Sequence, residues 1–563
     1  MAEDFMTAAV KRVEAQFEKS GVSENCAAFE RKENQIEMRD GVKLHTIYYF
    51  PKEDTAEEKT YPVILTRTCY PGNDRIHRAY GEGLARRGYV YVYQYCRGRE
   101  NSEGKWEPNI NERKDGIDTM NYLVEQPWCE ILGYWGHSYT SMTGWAFADA
   151  AEGKVAAMFL EDYGTDRFTS AYEKGCFRHD ILTAWSMENA EKPVNADYRE
   201  SCRYLPQIEV DEALWGQRVP SYREYITSPN PDAALWQTGW WKQLREIPSK
   251  TKVPIYLLSG WYDHHHGSSM KTWERLNEET KQHSWLEIGA WNHFFQICLE
   301  GKEVMHPQNE EIPKMLEWFE LTLKQKEIPT QRIRAYEIGA DRWIDTVSDG
   351  LGEKGTAGSM TLYLDEKTLR TVTPEQEITS NYMFDPAFPF ESSGGEALLH
   401  TMPQIGSHLQ PESDYREDVL SFVSEPLEET FTLNGKASVR LFVESDCEDT
   451  AFTAKIMEVT PEGKAYNIRS SIATLEQGKT EAGAYEPGSV AEVQITMWNI
   501  VYTIPAGSRI RVDVSSSDFP QYHVHSNQKG LWSEKTENKI AHQTIHTGGV
   551  HASCVILPLM KKQ

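Results

Sequence analysis

A serine, an aspartate and a histidine at three separate points of this 563-residue chain are the types that nucleophilic acyl chemistry needs. Ser138 lies in "GYWGHSYTSMTGW" (133–145), between an apolar run and a stretch of helical spacing. A serine hydroxyl is a weak nucleophile until a base takes its proton, and the imidazole base needs a carboxylate to hold its tautomer and orientation. Asp263 closes "VPIYLLSGWYD" and His293 closes "HSWLEIGAWNH", each at the C-terminal end of an apolar run. Any one of these is a weak signal: serine–glycine turns are common, a strand-end Asp often caps a helix, and a strand-end His is often a core donor. Together, at the ends of three separate runs, they point to one site. Gly136 leaves room for a tight turn, and the helix N-terminus after Ser138 aims N–H groups at a developing oxyanion.

Those runs need a scaffold that brings their ends together. "YPVILTRTCY" (61–70), "GYVYVYQYCRG" (88–98), "EILGYWG" (130–136), "KVAAMFLEDYG" (154–164) and the two runs ending in Asp263 and His293 are dense in β-branched and aromatic residues. Helical patterns over 112–128, 139–151, 268–280 and 311–326 alternate with them, which predicts a parallel sheet covered on both faces, the α/β class. A polar helical leader and a hairpin at 35–51, turning at "RDG", precede it. From 166 to 249 the alternation stops and aromatics and charges mix at helical spacing. From about 336 only short alternating runs remain, such as "ASVRLFVESD" and "RIRVDVSSSDF", predicting an all-β sandwich or jelly roll. The domain reading is therefore 1–165 and 250–335 for the α/β body, 166–249 for a helical insertion and 336–563 for the β domain.

Bulk composition narrows the function classes. The formal net charge is −26 and there is no basic run, so phosphate backbones and anionic lipid surfaces are poor partners. No apolar stretch is long enough to cross a bilayer, and the leader lacks the apolar core of a secretory signal. Nine scattered cysteines without a paired motif read as reduced thiols in a cytoplasmic protein, neither a disulfide framework nor a zinc site.

The order Ser, then acid, then His along the chain is that of α/β-hydrolases. At finer grain the sequence resembles the serine-hydrolase family of cocaine esterase, X-Pro dipeptidyl-peptidase, α-amino acid ester hydrolase and glutaryl acylase. "MRDGVKL", "RTCYPGND", "RGYVYVYQYCRGRENSEGKW", "GHSYTS", "GWYD", "GAWNH" and the later "NYMFDPAFPFESSGG" and "IPAGSRIRVDVSSSDFP" carry the resemblance over nearly the whole chain. It implies an α/β-hydrolase fold with a helical cap and a C-terminal jelly roll, a triad of Ser138, Asp263 and His293, and an oxyanion hole made by the Tyr139 N–H and the Tyr70 hydroxyl. Three positions depart from the family pattern: Ser141 replaces a glycine, Tyr95 an aspartate and Ala290 a proline.

"DHHHG" (263–267) departs most, because amino-acid-selective relatives carry carboxylates for a substrate ammonium there. Adjacent residues point different ways, so His264, His265 and His266 are not expected to hold one metal. His265 is the best candidate for a polar, neutral-to-cationic wall of the acyl pocket, one that disfavours α-ammonium substrates. Among the aromatics of the insertion, Tyr172 and Trp185 are the first candidates to face substrate. The resulting expectation is an esterase or amidase working through an acyl-enzyme on a small molecule, without cofactor or metal, with homo-oligomer formation left open. Its rivals are an X-Pro peptidase, an acyltransferase with the same triad, and a binding module on an inactive hydrolase body.

Overall fold

A computed structural model describes residues 2–52, 59–192, 194–345, 356–397, 402 and 404–561. In chain order the first strands are β1 (Ala28–Glu37), β2 (Lys43–Lys52), β3 (Tyr61–Thr68), β4 (Val90–Tyr95), β5 (Cys129–His137) and β6 (Val155–Glu161). A short hairpin follows, β7 (Tyr172–Glu173) and β8 (Cys176–Phe177), and then β9 (Ile255–Tyr262), β10 (Trp285–Asn292), β11 (Arg332–Glu337) and β12 (Arg342–Asp345). Apart from the hairpin these form one ten-stranded sheet in the order β1-β2-β4-β3-β5-β6-β9-β10-β11-β12. Pairing is parallel from β4 across to β11 and antiparallel at both edges.

Burial explains why those strands read as continuous apolar runs. Every residue of β4, β9 and β10 is buried, because helices cover both faces of a parallel sheet. Alternate residues feed two separate cores: Val63, Leu65, Val90 and Val92 enter one, and Ile64, Tyr91 and Tyr93 the other. The parallel crossovers place the C-terminal ends of β5, β9 and β10 along one rim, where Ser138, Asp263 and His293 follow them.

The helices differ from the sequence expectation chiefly at their ends. The pattern over 268–280 breaks into His266–Arg275 and Glu278–Lys281, because the Asn277 side chain accepts from the N–H groups of Glu279 and Thr280 and starts a new helix. The pattern over 139–151 gives Tyr139–Trp145 and then a 3₁₀ turn, Ala148–Ala150. Helix Glu311–Phe319 continues as a π-helical turn, Glu320–Lys324. The segment between β6 and β9 is mostly short helices but includes the β7–β8 hairpin, whose turn uses Gly175 at φ 91°.

A separate C-terminal β domain contains β13 (Thr356–Asp365), β14 (Thr368–Arg370), β15 (Ile378–Phe384), β16 (Leu420–Ser424), β17 (Phe431–Ser445) and β18 (Ala451–Val459). It is completed by β19 (Ala465–Thr474), β20 (Ala491–Ile504), β21 (Arg509–Ser515), β22 (Ala541–Thr547) and β23 (Cys554–Met560). Among the described residues its strands pair antiparallel except β14 with β16. The strand-only stretch read from about 336 therefore divides between two sheets, since β11 and β12 stay with the first. The β domain meets the body where Gly267 lies under the Trp498 ring; a Cβ there would fall 2.3 Å from it.

Candidate active site

Ser138 occupies a strained turn. Its φ of 56° and ψ of −124° lie where a side chain is disfavoured, and the surroundings hold it there. Its N–H donates to Glu161 O at 3.0 Å, and its carbonyl accepts from the N–H groups of Ser141 and Met142. Gly136 is obligatory for this turn: a Cβ would sit 2.2 Å from Thr140 O. Ser141, standing where the family has glycine, is fully buried and accommodated.

His293 connects the serine to the acid. Its Nε2 lies 2.9 Å from Ser138 Oγ and its Nδ1 2.5 Å from Asp263 Oδ2. The other oxygen of Asp263 accepts from the His265 N–H at 2.7 Å, which fixes the carboxylate plane. Asp263 is wholly buried and His293 nearly so. The approach of β9 and β10 that allows this depends on glycine: a Cβ on Gly260 would meet Trp291 O at 2.2 Å, and one on Gly289 would overlap the Trp291 ring. This row can pass a proton from a serine hydroxyl to an imidazole held in one orientation.

Two donors face the serine. The Tyr70 hydroxyl lies against the Ser138 side chain, with Trp185 Nε1 3.4 Å away. Burial raises the Tyr70 phenol pKa, so it stays a proton donor. Tyr139 is the first residue of its helix, so its N–H has no carbonyl one turn back to bond. Its ring is locked: the hydroxyl donates to Glu112 Oε1 at 3.0 Å and accepts from the Asn109 N–H at 2.9 Å, and the face stacks on Trp185 at 5.8 Å. Trp185 thus stands beside Tyr70 and Tyr139, next to the serine.

Of the three consecutive histidines, two lie beside His293 and one turns away. His264 lies tilted against His293, with ring centroids 4.1 Å apart. His265 Nδ1 lies 3.0 Å from Ser170 Oγ, and its ring is 4.9 Å from Tyr163 and 5.8 Å from His293. His266 turns the other way, toward Ser259 and Trp261. Burial first, and then the neighbouring His293 and Arg167, push the His265 pKa well below its ordinary value. Of the neutral-to-cationic range expected for His265, burial beside His293 and Arg167 favours the neutral end.

Tyr172 is not brought to the serine. It is buried in the core of the helical segment, its hydroxyl donating to Tyr225 O at 2.8 Å and accepting from Trp532 Nε1 at 3.2 Å. Trp215 and Trp236 are buried in the same aromatic packing.

Several nearby residues carried no sequence signal. Arg167 is buried with no carboxylate in ion-pair distance among the described residues; it packs over the rings of Tyr225 and Trp241 and beside the Tyr163 phenol. Nothing in "TDRFTS" distinguishes it from a surface arginine. Glu161 and Asp162, at the end of β6, are both wholly buried, and burial pushes the pKa of each carboxyl well above the usual carboxylate range. Asp162 faces His137 Nε2 at 3.6 Å. The leader helix Ala2–Lys19 braces the far side: Arg12 donates to Phe294 O at 3.0 Å, and Gln16 accepts from the Ile312 N–H. Tyr95 forgoes the family's aspartate, and Arg97 finds Asp40 and Asp115 instead, each at 2.7 Å.

Comparison with known proteins agrees with this layout. Residues 40–295 match the family X-Pro dipeptidyl-peptidase (S15 family), and residues 330–556 match the X-Pro dipeptidyl-peptidase C-terminal non-catalytic domain. Cocaine esterase of Rhodococcus sp. (strain MB1 Bresler) is 27% identical over 574 residues, covering 94% of this chain and 98% of its own. A putative serine esterase of Mycobacterium bovis is 21% identical, covering 87% of this chain and 90% of its own. Among solved structures, an aminopeptidase from the marine sediment archaeon Thaumarchaeota archaeon superposes with a TM-score of 0.81 at 20% identity, over 95% of this chain and 96% of that one. An α-amino acid ester hydrolase does so with a TM-score of 0.81 at 21% identity, over 95% and 97%. These structures share the fold, an α/β body with a separate C-terminal β domain. The chain is a serine hydrolase, and it belongs to the family of X-Pro dipeptidyl-peptidase (S15) and cocaine esterase.

Proposed function

We propose that this protein cleaves a carboxylic ester or amide of a small molecule through an acyl-enzyme formed on Ser138. His293 takes the serine proton and returns it to the leaving group, while Asp263 holds the imidazole and stabilises its charged form. The Tyr70 hydroxyl and the Tyr139 N–H stabilise the tetrahedral oxyanion. The single observation that carries this reading is the hydrogen-bonded row Ser138–His293–Asp263, at 2.9 and 2.5 Å, behind a serine at positive φ. Residues 166–249 act as a cap, and the β domain is a jelly roll that packs against it. Nine free thiols fit a cytoplasmic protein, and no described helix is long and apolar enough to cross a membrane.

The acyl pocket favours neutral or anionic chains. Arg167, near enough to His265 to help lower its pKa, supports this. A buried guanidinium with no carboxylate in ion-pair distance among the described residues disfavours a second cation and is ready to pair with an anion. An α-ammonium substrate, as an X-Pro peptidase requires, would face that charge.

Labelling with a fluorophosphonate, followed by peptide mass mapping, tests the reading. An adduct on Ser138 that disappears in Ser138→Ala is expected. An adduct elsewhere, or wild-type turnover by Ser138→Ala, would overturn it.

A further inference from the structure

Far along the chain from Ser138, the β domain gathers a second set of histidines around a carboxylate. His546 is on β22, His551 follows in the turn before β23, and Glu377 immediately precedes β15, the strand paired with β22. Glu377 Oε1 lies 3.2 Å from His546 Nδ1 and 2.9 Å from His551 Nδ1. All three donor atoms lie within 4.8 Å of one another. We propose that Glu377, His546 and His551 form a binding site for a divalent transition-metal ion, best suited to zinc.

The donor set and its spacing carry the proposal. Two imidazoles with one carboxylate suit zinc and its neighbours better than calcium or magnesium, which prefer oxygen ligands. Ligands ~2.05 Å from a tetrahedral centre lie ~3.3 Å apart. The two separations from Glu377 are close to that edge, and the third, between the two imidazole nitrogens, is within 4.8 Å, so an ion could enter as the two rings close on it. The spacing His-x₄-His in "HTGGVH" is within the range that paired zinc ligands use.

Two further features match a built site. His546 is largely buried, and its second nitrogen, Nε2, faces Glu444 Oε2 at 3.5 Å. A carboxylate behind the distal nitrogen of a histidine is the arrangement that orients metal-ligating imidazoles and raises their basicity. The turn is also committed to this geometry. Gly548 and Gly549 both have positive φ, and a Cβ on Gly548 would meet Gln376 O at 2.2 Å, so only glycine lets the turn press against the segment carrying Glu377. The Gly549 N–H donates to Pro374 O at 2.9 Å, which pins the turn there. With three protein ligands the fourth position is left for water. The ion would cross-link β15, β22 and the turn into β23, stabilising the β domain without touching the serine site.

Calorimetric titration of the full chain with Zn²⁺ alone, paired with thermal unfolding, tests this. One saturable equivalent and a rise in Tm are expected for the wild type. Both should be lost in His551→Ala and in Glu377→Gln, two half-exposed positions where folding should survive, with ester turnover unchanged in the metal-free proteins. Glu444→Gln should weaken binding by roughly 10- to 100-fold. Zn²⁺ drawn to His293 would instead inhibit turnover equally in all variants. No saturable binding in the wild type, or binding and a Tm rise retained by His551→Ala and Glu377→Gln, would overturn the proposal and leave the cluster as two N–H donors on one carboxylate.

Discussion

Two histidine clusters in this molecule behave oppositely. His264, His265 and His266 are consecutive, and they divide: the first two rings lie 4.4 Å apart and both border the His293 ring, while His266 turns away toward Ser259 and Trp261. His546 and His551 are five residues apart, and a two-glycine turn folds both onto one Glu377 oxygen. Successive side chains leave an extended or turning backbone in different directions, whereas a turn of the right length brings separated ones together. Density of a residue type in sequence is therefore only a partial guide to a shared site, since one of three consecutive histidines leaves it. The buried cluster works by hydrogen-bond order around one acid, Asp263, and the half-exposed one by convergence on a carboxylate.

The largest test of the buried cluster removes its reacting ends. Ser138→Ala and His293→Ala should each lower kcat by about 10⁴- to 10⁶-fold, and the double variant should lose no more than either alone, because such residues act as a unit. Additive losses, measured by single-turnover ester hydrolysis, would mean that the two residues do not share one proton path. Asp263→Asn should cost about 10⁴-fold by presenting the wrong tautomer to the serine.

Next in size is the donor pair. If Tyr70 stabilises the oxyanion, Tyr70→Phe should lower kcat by roughly 100- to 1000-fold while KM barely moves. The ring contacts with Tyr139 would survive in Phe, so an unchanged kcat would leave Tyr70 a packing residue.

A smaller effect separates charge from order in the pocket. Arg167→Met should cost an ester with a terminal carboxylate about 10- to 100-fold in kcat/KM, the worth of one charge-assisted hydrogen bond, and leave its neutral isostere nearly unchanged. In the wild type the ratio of the two substrates should show no step near pH 6.5, because the cation is a guanidinium and the nearby His265 stays neutral. A step at that pH, abolished in His265→Gln, would return the charge to His265.

These residues also mark what sequence can convey. The sheet was legible because burial on both faces imposes continuous apolar runs, and Ser138, Asp263 and His293 were legible because each terminates one. Trp185 and Tyr172 have the same kind of neighbours in sequence, yet one stands beside Tyr70 and the other in the core of the helical segment. Which aromatic faces substrate is decided by packing between short helices, and no periodicity records it. Arg167 and the Glu377–His546–His551 set were illegible for a related reason: their character comes from partners brought together by the fold, aromatic rings for the first and one shared carboxylate for the second. The leader helix read correctly as a helix, but Arg12 reaching Phe294, 282 residues away, has no local signature.

The smallest predicted effect is on stability, and its sign follows from the buried His265. Its pKa is lower in the native protein than the ordinary value near 6.5 that it regains on unfolding. As pH falls below about 6.5 the unfolded chain binds a proton that the native state does not, so this histidine's contribution is fully present above that pH and is lost below it. The loss should approach about 1.4 kcal/mol per pH unit. Asp180 works in the opposite sense: burial raises it to about 6, so its contribution is present at low pH and is lost as pH rises through that value. Asp180 and other buried histidines with lowered pKa, such as His77, His179, His266 and His523, all remain in a His265→Gln variant. Their slopes cancel when the two proteins are compared at each pH. His265→Gln, which keeps a partner for Ser170, should therefore be less stable than wild type at pH 7.5, and the gap should narrow by about 1 kcal/mol between pH 6.5 and 5.5. Parallel pH profiles of the unfolding midpoint would show that His265 takes up its proton in the native state, and the distinction between a cluster of order and a cluster of charge would then fail at its centre.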